Sequence, residues 1–240
     1  MANQFTYVRY EVRPQPRCPY YYRARPEQDF YLDEFLTPVA REIKKITDAT
    51  PGDTLEAVGP RLFEVVRQVQ YVTDQDGKGV PEYFKYPVET LKDKTGDCED
   101  QSYLLASLLQ GAGVPNVVIV FGTVEVDGRR FGHAWVEAQG KFIESTYPEY
   151  RPLGARPNFY HPEIAVSWGY AYQMGAPMGW QIGGPIGQNM GNPNGQQENQ
   201  EVTRVLPQPS PEELEKLHRK LKELEERPET GARPTLWRLP

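Results

Sequence analysis

Three residues of this chain have types and spacing that suit acyl-transfer chemistry. Cys98 lies in KTGDCEDQSYLLASLLQGAG, His133 in FGHAWVE and Glu144 in FIEST. A cysteine reacts as its thiolate, a histidine can take up the thiol proton, and a carboxylate can orient the histidine. Each residue alone has a blander reading: a buried small hydrophobe for the cysteine, a hydrogen-bonding core residue for the histidine, a solvent-facing strand residue for the glutamate. The spacing adds information. If Gln139-Gly140 is a two-residue hairpin turn, Ala138 faces Lys141 and Trp135 faces Glu144. His133, Trp135 and Glu144 then share one face of the sheet, with His133 and Glu144 diagonal neighbours roughly 7–8 Å apart at the backbone. Long side chains close that gap. The second imidazole nitrogen is left to meet Cys98 if the helix that Cys98 opens packs on this edge.

Three carboxylates surround the cysteine: Asp97, Glu99 and Asp100. They oppose a thiolate, so they need a separate account. Asp97 in the N-cap position puts Cys98 at N1, Glu99 at N2 and Asp100 at N3, where carboxylates satisfy orphan N–H groups and suit the helix dipole. Capping is the preferred reading. Zinc is disfavoured, since the chain has two cysteines and three histidines without ligand spacing. His161 and His218 have no sequence partners and are read as structural.

The elements that position these residues are legible in outline. Residues 1–27 read as an extended Pro-, Arg- and Tyr-rich arm. From Asp29 an apolar period near 3.6 predicts a helix through Ile46, bent or broken at Pro38. A second helix follows PGD, most firmly from Pro60 to Val72. Residues 74–95 read as a loop with turn signals. Leu104, Leu105, Leu108 and Leu109 form an apolar stripe on the helix after Cys98, and Gly111 and Gly113 stop it. Strands are predicted over Val117–Val126, Arg130–Ala138 and Lys141–Thr146, turning at Asp127-Gly128 and Gln139-Gly140. The fold class is α+β, with N-terminal helices and a Cys98 helix packed on an antiparallel β-meander.

The units expected are an arm over 1–27, a catalytic domain over 28–172, a Gly/Pro/Gln-rich flexible linker over 173–209, and a charged amphipathic helix and tail over 210–240. Leu214, Leu217, Leu221 and Leu224 give that helix an apolar stripe. It is read as docking on its own domain, with a short coiled coil or assembly element as the alternative; oligomeric state is not readable.

These motifs together resemble the transglutaminase-like superfamily of papain-related cysteine enzymes. GDCEDQSYLLASLLQGAG, GHAWVE and FIEST carry the resemblance, with YVTDQDGKGVPEYFKYPVETLKDKTGD similar to the family's lead-in, over about residues 55–150. It implies a papain/transglutaminase-like fold with Cys98 as nucleophile, His133 as base and Glu144 as third member, where the family more often has Asp. It also implies a side-chain oxyanion donor on the preceding helix, for which Gln68, Gln70 and Tyr71 are candidates beside the Cys98 backbone N–H. Some bacterial proteases that resemble this family bind calcium beside a similar Asp-Cys-Glu-Asp segment. Asp97, Glu99 and Asp100 are therefore candidate ligands, but three acids on one turn cannot complete a six-oxygen shell. No cofactor is expected, with calcium as the alternative. Trp135, Tyr83 and Tyr86 are candidates for the substrate groove, with Phe84; simple packing is their plainer reading.

The function expected is a peptidase or amidase, with a non-catalytic binding module on the same fold, or a protein-glutamine cross-linking transferase, as the alternatives. The substrate would be a protein or peptide. A net charge of -6 disfavours nucleic acid. No apolar run is long enough to span a membrane and no secretory signal is visible, so a soluble, cytoplasmic protein is the default expectation.

Overall fold

The structure, a computed structural model of the chain, describes residues 8–10, 32–79, 83–168, 170–173 and 207–226. A central helix packs on one face of a mixed-order antiparallel sheet, and shorter helices surround the rest of it. Most of the predicted arm, most of the linker and Cys18 lie outside the described residues.

The first expected helix is two pieces. A 3-10 turn, Leu32–Phe35, precedes α1, Arg41–Asp48, with Pro38 in the break. Proline cannot donate into the preceding turn, so the segment restarts after it. Helix α2, Leu55–Val66, is capped by Thr54, whose side chain accepts from Ala57 N–H. It ends before Gln70–Tyr71, which the sequence reading had as helix. Those two residues form β2 and pair in parallel with β3, Thr95–Gly96. The expected loop over 74–95 contains two short helices, α3 (Asp74–Lys78) and α4 (Pro87–Asp93). Thr73 caps α3 and Gly79 closes it in the left-handed region. Pro87 opens α4, and Glu89 reaches back to Tyr86 N–H at 2.8 Å.

Helix α5, Cys98–Gly111, is the centre of the molecule. An amphipathic helix with one apolar stripe was expected. Instead every residue from Cys98 to Leu109 is buried, because sheet strands cover one side and α1, α2 and α4 the others. The polar side chains of this helix find internal partners: Ser107 Oγ accepts from Thr37 N–H, and Tyr103 OH donates to Leu32 O.

The strands β4 (Val117–Val126), β5 (Arg129–Ala138) and β6 (Lys141–Ile143) form the expected meander. Both hairpins turn on residue pairs with positive φ, Asp127-Gly128 and Gln139-Gly140. The register places Ala138 opposite Lys141, as the hairpin reading requires. Pairing stops at Ile143, so Glu144 lies just beyond β6 and not inside it. The sheet also holds β7 (Tyr160–Ser167), β8 (Tyr170–Gln173) and β1 (Val8–Tyr10), none of them expected, in the order β1-β8-β7-β4-β5-β6. Strand β7 returns beside β4, opposite β5, with a register shift at Phe121/Gly122.

The C-terminal helix α6, Pro211–Glu226, docks on its own domain through buried Leu214, Leu217 and Leu221. Its apolar stripe is thereby largely covered, with Leu224 left exposed. No described helix is long and apolar enough to cross a membrane.

Candidate functional site

Cys98 begins α5 and is 2% exposed. The parallel β2–β3 pair brings Tyr71 alongside Gly96, two residues before the cysteine. Gly96 is needed there because a Cβ would lie 2.7 Å from Asp100 Cβ, so α5's first turn folds back on its own lead-in. The Ser102 hydroxyl fixes the turn by donating to Cys98 O at 2.7 Å.

His133 is fully buried on β5, and its Nε2 lies 2.9 Å from Glu144 Oε2. Glu144 is saturated by donors. Oε2 also accepts from Tyr160 OH at 2.6 Å, and Oε1 accepts from Thr146 N–H at 3.0 Å and Thr146 Oγ1 at 2.7 Å. Burial alone would raise this carboxyl, but the charge and hydrogen bond of His133, with help from His218 and Tyr160, bring it down to about 2. Glu144 is therefore ionised and can only accept. It follows that His133 Nε2 is the donor and Nδ1 the nitrogen with the open lone pair. Nδ1 is buried without a hydrogen-bond partner among the described residues.

Thr146's one hydroxyl proton goes to Glu144, so its oxygen accepts from His218 Nε2 at 3.1 Å. His218 on α6 also stands edge-on to Tyr147. Burial, together with the positive charge available at His133, holds His218 down at about 4 against the pull of Glu144. His218 was read as having no partner; 72 residues of sequence separate it from Thr146, and no local pattern joins them.

The acids beside Cys98 behave differently from the capping expectation. Asp97 holds the N-cap position, but its side chain accepts no helix N–H. Neither of its oxygens has a donor among the described residues. Asp100 Oδ1 accepts from Lys85 N–H at 2.8 Å, and Oδ2 lies 3.1 Å from Lys85 Nζ. Glu99 Oε2 accepts from Cys98 Sγ at 3.4 Å. A fourth acid joins them from α3: Asp74 accepts from Tyr83 N–H, and one oxygen from each of Asp74, Asp97, Glu99 and Asp100 lies within 4.8 Å of the others. All four are buried. Burial and mutual repulsion push Asp74 up to about 9 and Asp97 well above the carboxylate range. Burial raises Asp100 to about 6, with Lys85 opposing the rise. Asp74 thus brings a fourth carboxylate to the three that the sequence placed beside Cys98.

The other sequence candidates are placed as follows. Gln68 and Gln70 are exposed and off the helix. The Tyr71 hydroxyl is enclosed, and burial, followed by the nearby Cys98, Asp97 and Glu99, raises it well above its usual range. Trp135 is fully buried between His133, Phe142 and Tyr160, so it packs and does not line a groove. Tyr86 is half-buried and stacks on Phe35 at 5.0 Å; Tyr83 is half-buried, gives its backbone N–H to Asp74, and has Lys78 Nζ 5.2 Å from its ring centroid.

A family model described as Transglutaminase-like superfamily matches residues 41–144. Residues 41–144 are a transglutaminase-like domain. The match runs from the start of α1 to Glu144 and so includes Cys98 and His133. Among solved structures, the chain is similar to three forms of LapG from Legionella pneumophila. The EGTA-treated form is 18% identical over 60% of this chain and 84% of that one, with a TM-score of 0.45. The second is 19% identical over 59% and 85%, with a TM-score of 0.43, and the calcium-bound form 22% identical over 57% and 90%, with a TM-score of 0.40. No curated protein matches the chain.

Proposed function

We propose that the transglutaminase-like domain is a cysteine hydrolase that cleaves amide bonds of a peptide or protein through a Cys98 thioester. The observation that carries this reading is the His133–Glu144 pair at 2.9 Å, which leaves Nδ1 unpartnered on β5 while Cys98 heads α5, the helix packed on that strand. In the reaction Cys98 gives its proton to His133 Nδ1, and Sγ attacks the amide carbonyl carbon. The tetrahedral oxyanion collapses to the thioester as the proton passes from Nδ1 to the leaving nitrogen. Water, deprotonated by Nδ1, then cleaves the thioester and returns the thiol. Glu144 holds the ring in the required tautomer and stabilises its cationic form. The Cys98 backbone N–H lies in a helix's first turn, where no intrahelical acceptor exists, and suits the oxyanion. Tyr71 OH is the side-chain donor best placed to assist.

The acid cluster is read as a calcium site held by Asp74, Asp97, Glu99 and Asp100. A bound cation would neutralise the carboxylates that otherwise oppose a thiolate one residue away. Donor-less Asp97, buried between like charges, supports this over capping.

The reading is tested by thiolate absorbance near 240 nm, taken as the difference between the protein and its Cys98→Ala variant. A Cys98 thiolate present at neutral pH, and lost in His133→Ala, is the expected result. A thiol that ionises only near the ordinary value of about 8.5 in both would defeat it. Mass spectrometry of a proteome incubated with the protein then separates new N-termini, the hydrolytic outcome, from Gln–Lys cross-links.

A further inference from the structure

Residues Pro207–Ser210 lie across the groups just described. Pro207 O accepts from the backbone N–H of Gly132, the residue before His133, at 3.1 Å. Gln208 Nε2 donates to Glu99 Oε2 at 3.3 Å, the same oxygen that accepts from Cys98 Sγ. Pro209 O accepts from Tyr71 OH at 2.9 Å, and Pro209 is buried. Successive residues therefore reach the backbone next to His133, the carboxylate next to Cys98, and the tyrosine.

The sheet leaves room for such a segment. Strand β6 pairs only with Val136–Ala138 of β5, so the stretch of β5 from Arg129 to Trp135 has no strand on that side among the described residues. Pro207 takes up a backbone donor of this edge, as an added strand would. Prolines at 207 and 209 bias the segment toward extended backbone and remove two N–H groups that the cleft would have to satisfy. The segment is anchored from its C-terminal side. Ser210 and Glu213 form a reciprocal cap at the start of α6, Lys220 Nζ donates to Glu125 O, and Arg129 pairs with Glu213 at 3.1 Å.

We infer that Pro207–Ser210 is a resident pseudo-substrate of the Cys98 cleft. The cleft takes an extended peptide that lies along the Arg129–Trp135 edge and directs an unbranched carboxamide side chain to Glu99 beside the thiol. What the enzyme does to such a peptide rests on the proposed cysteine-hydrolase reading; the occupancy does not. The ring on the leaving nitrogen of the Gln208–Pro209 bond hinders attack there, which suits an occupant over a substrate.

The experiment replaces Pro207, Gln208 and Pro209 by glycine in the full chain, keeping Ser210 and α6. Alkylation of Cys98 by iodoacetamide is followed by peptide mass spectrometry. A covered thiol reacts only through opening, so uncovering it should speed alkylation by about tenfold or more. A synthetic peptide RVLPQPSPE, added in trans, should restore protection, and one with alanine for the glutamine should restore less. Unchanged alkylation overturns the inference. So does faster alkylation that the peptide does not slow, since that reports general loosening. Adding His133→Ala to the opened variant separates the two readings. Uncovered but histidine-independent reactivity keeps the occupant and removes the hydrolase. Histidine-dependent reactivity that the glycine replacement leaves unchanged does the reverse.

Discussion

Glu144 accepts four hydrogen bonds, from His133, Tyr160 and twice from Thr146. Its length lets it start beyond the end of β6 and reach back to a histidine on β5, and under the proposed mechanism it takes the place for which the resemblance implies aspartate. Glu144→Gln keeps the shape but turns one acceptor into a donor that faces other donors. The substitution should lower kcat for amide hydrolysis by about 10²- to 10⁴-fold, the range of a general acid–base contribution, with a smaller change in KM. Steady-state kinetics on a cleavable peptide check this, and a kcat within a factor of about three of the parent would remove Glu144 from the mechanism.

At the scale of elements, local signals carried most of the candidate site. The start of α5, the two hairpins with Asp127-Gly128 and Gln139-Gly140, and the Ala138–Lys141 register are each written within a few residues. They suffice to put His133 and Glu144 together. The rest depends on contacts that no window spans. Asp74 looked like part of a turn, Lys85 like a loop residue, and Tyr160 belongs to a strand that returns beside β4. Tyr71 and Pro209 are 138 residues apart. Helix α5 misled in another way: its polar residues suggested an exposed face, but each finds a buried partner. Gly122 shows how tightly the elements meet. It pairs with His133 in β4–β5 and sits at the register shift against β7, where a Cβ would come within 2.1 Å of His161 O. Backbone cannot yield as a side-chain tip can. Gly122→Ala should destabilise the fold by roughly 1–3 kcal/mol, the range for overpacking, seen as a lower midpoint in urea. An unchanged midpoint would show that β7 can shift freely.

Across the whole molecule, the acid cluster couples stability to pH and, under the proposed calcium reading, to a divalent cation. Asp74, Asp97 and Asp100 all have raised values in the folded protein. Above about pH 4 the unfolded chain has released these protons while the folded chain keeps them, so their contribution to stability declines as pH rises toward about 9, the value for Asp74. A bound calcium ion requires the ionised forms and removes that decline. The melting temperature with calcium minus that with EGTA should therefore grow from pH 6 to pH 9, and shrink in Asp74→Asn. A difference that is flat or absent in calorimetry would count against the site. Glu144 acts in the opposite sense and in a separate window: its contribution is present above about 4.5 and is lost as pH falls toward 2.

The uncovered half of β5 also bears on solubility. A row of unpaired backbone groups beside a flat sheet invites pairing with the same row on another molecule. Here the invitation is declined twice, by the charges of Arg129 and Arg130 at one end and by Pro207 lying against Gly132 further along. The segment that covers the thiol is thus also a guard against edge-to-edge aggregation. Whatever peptide displaces it inherits both tasks for as long as it stays.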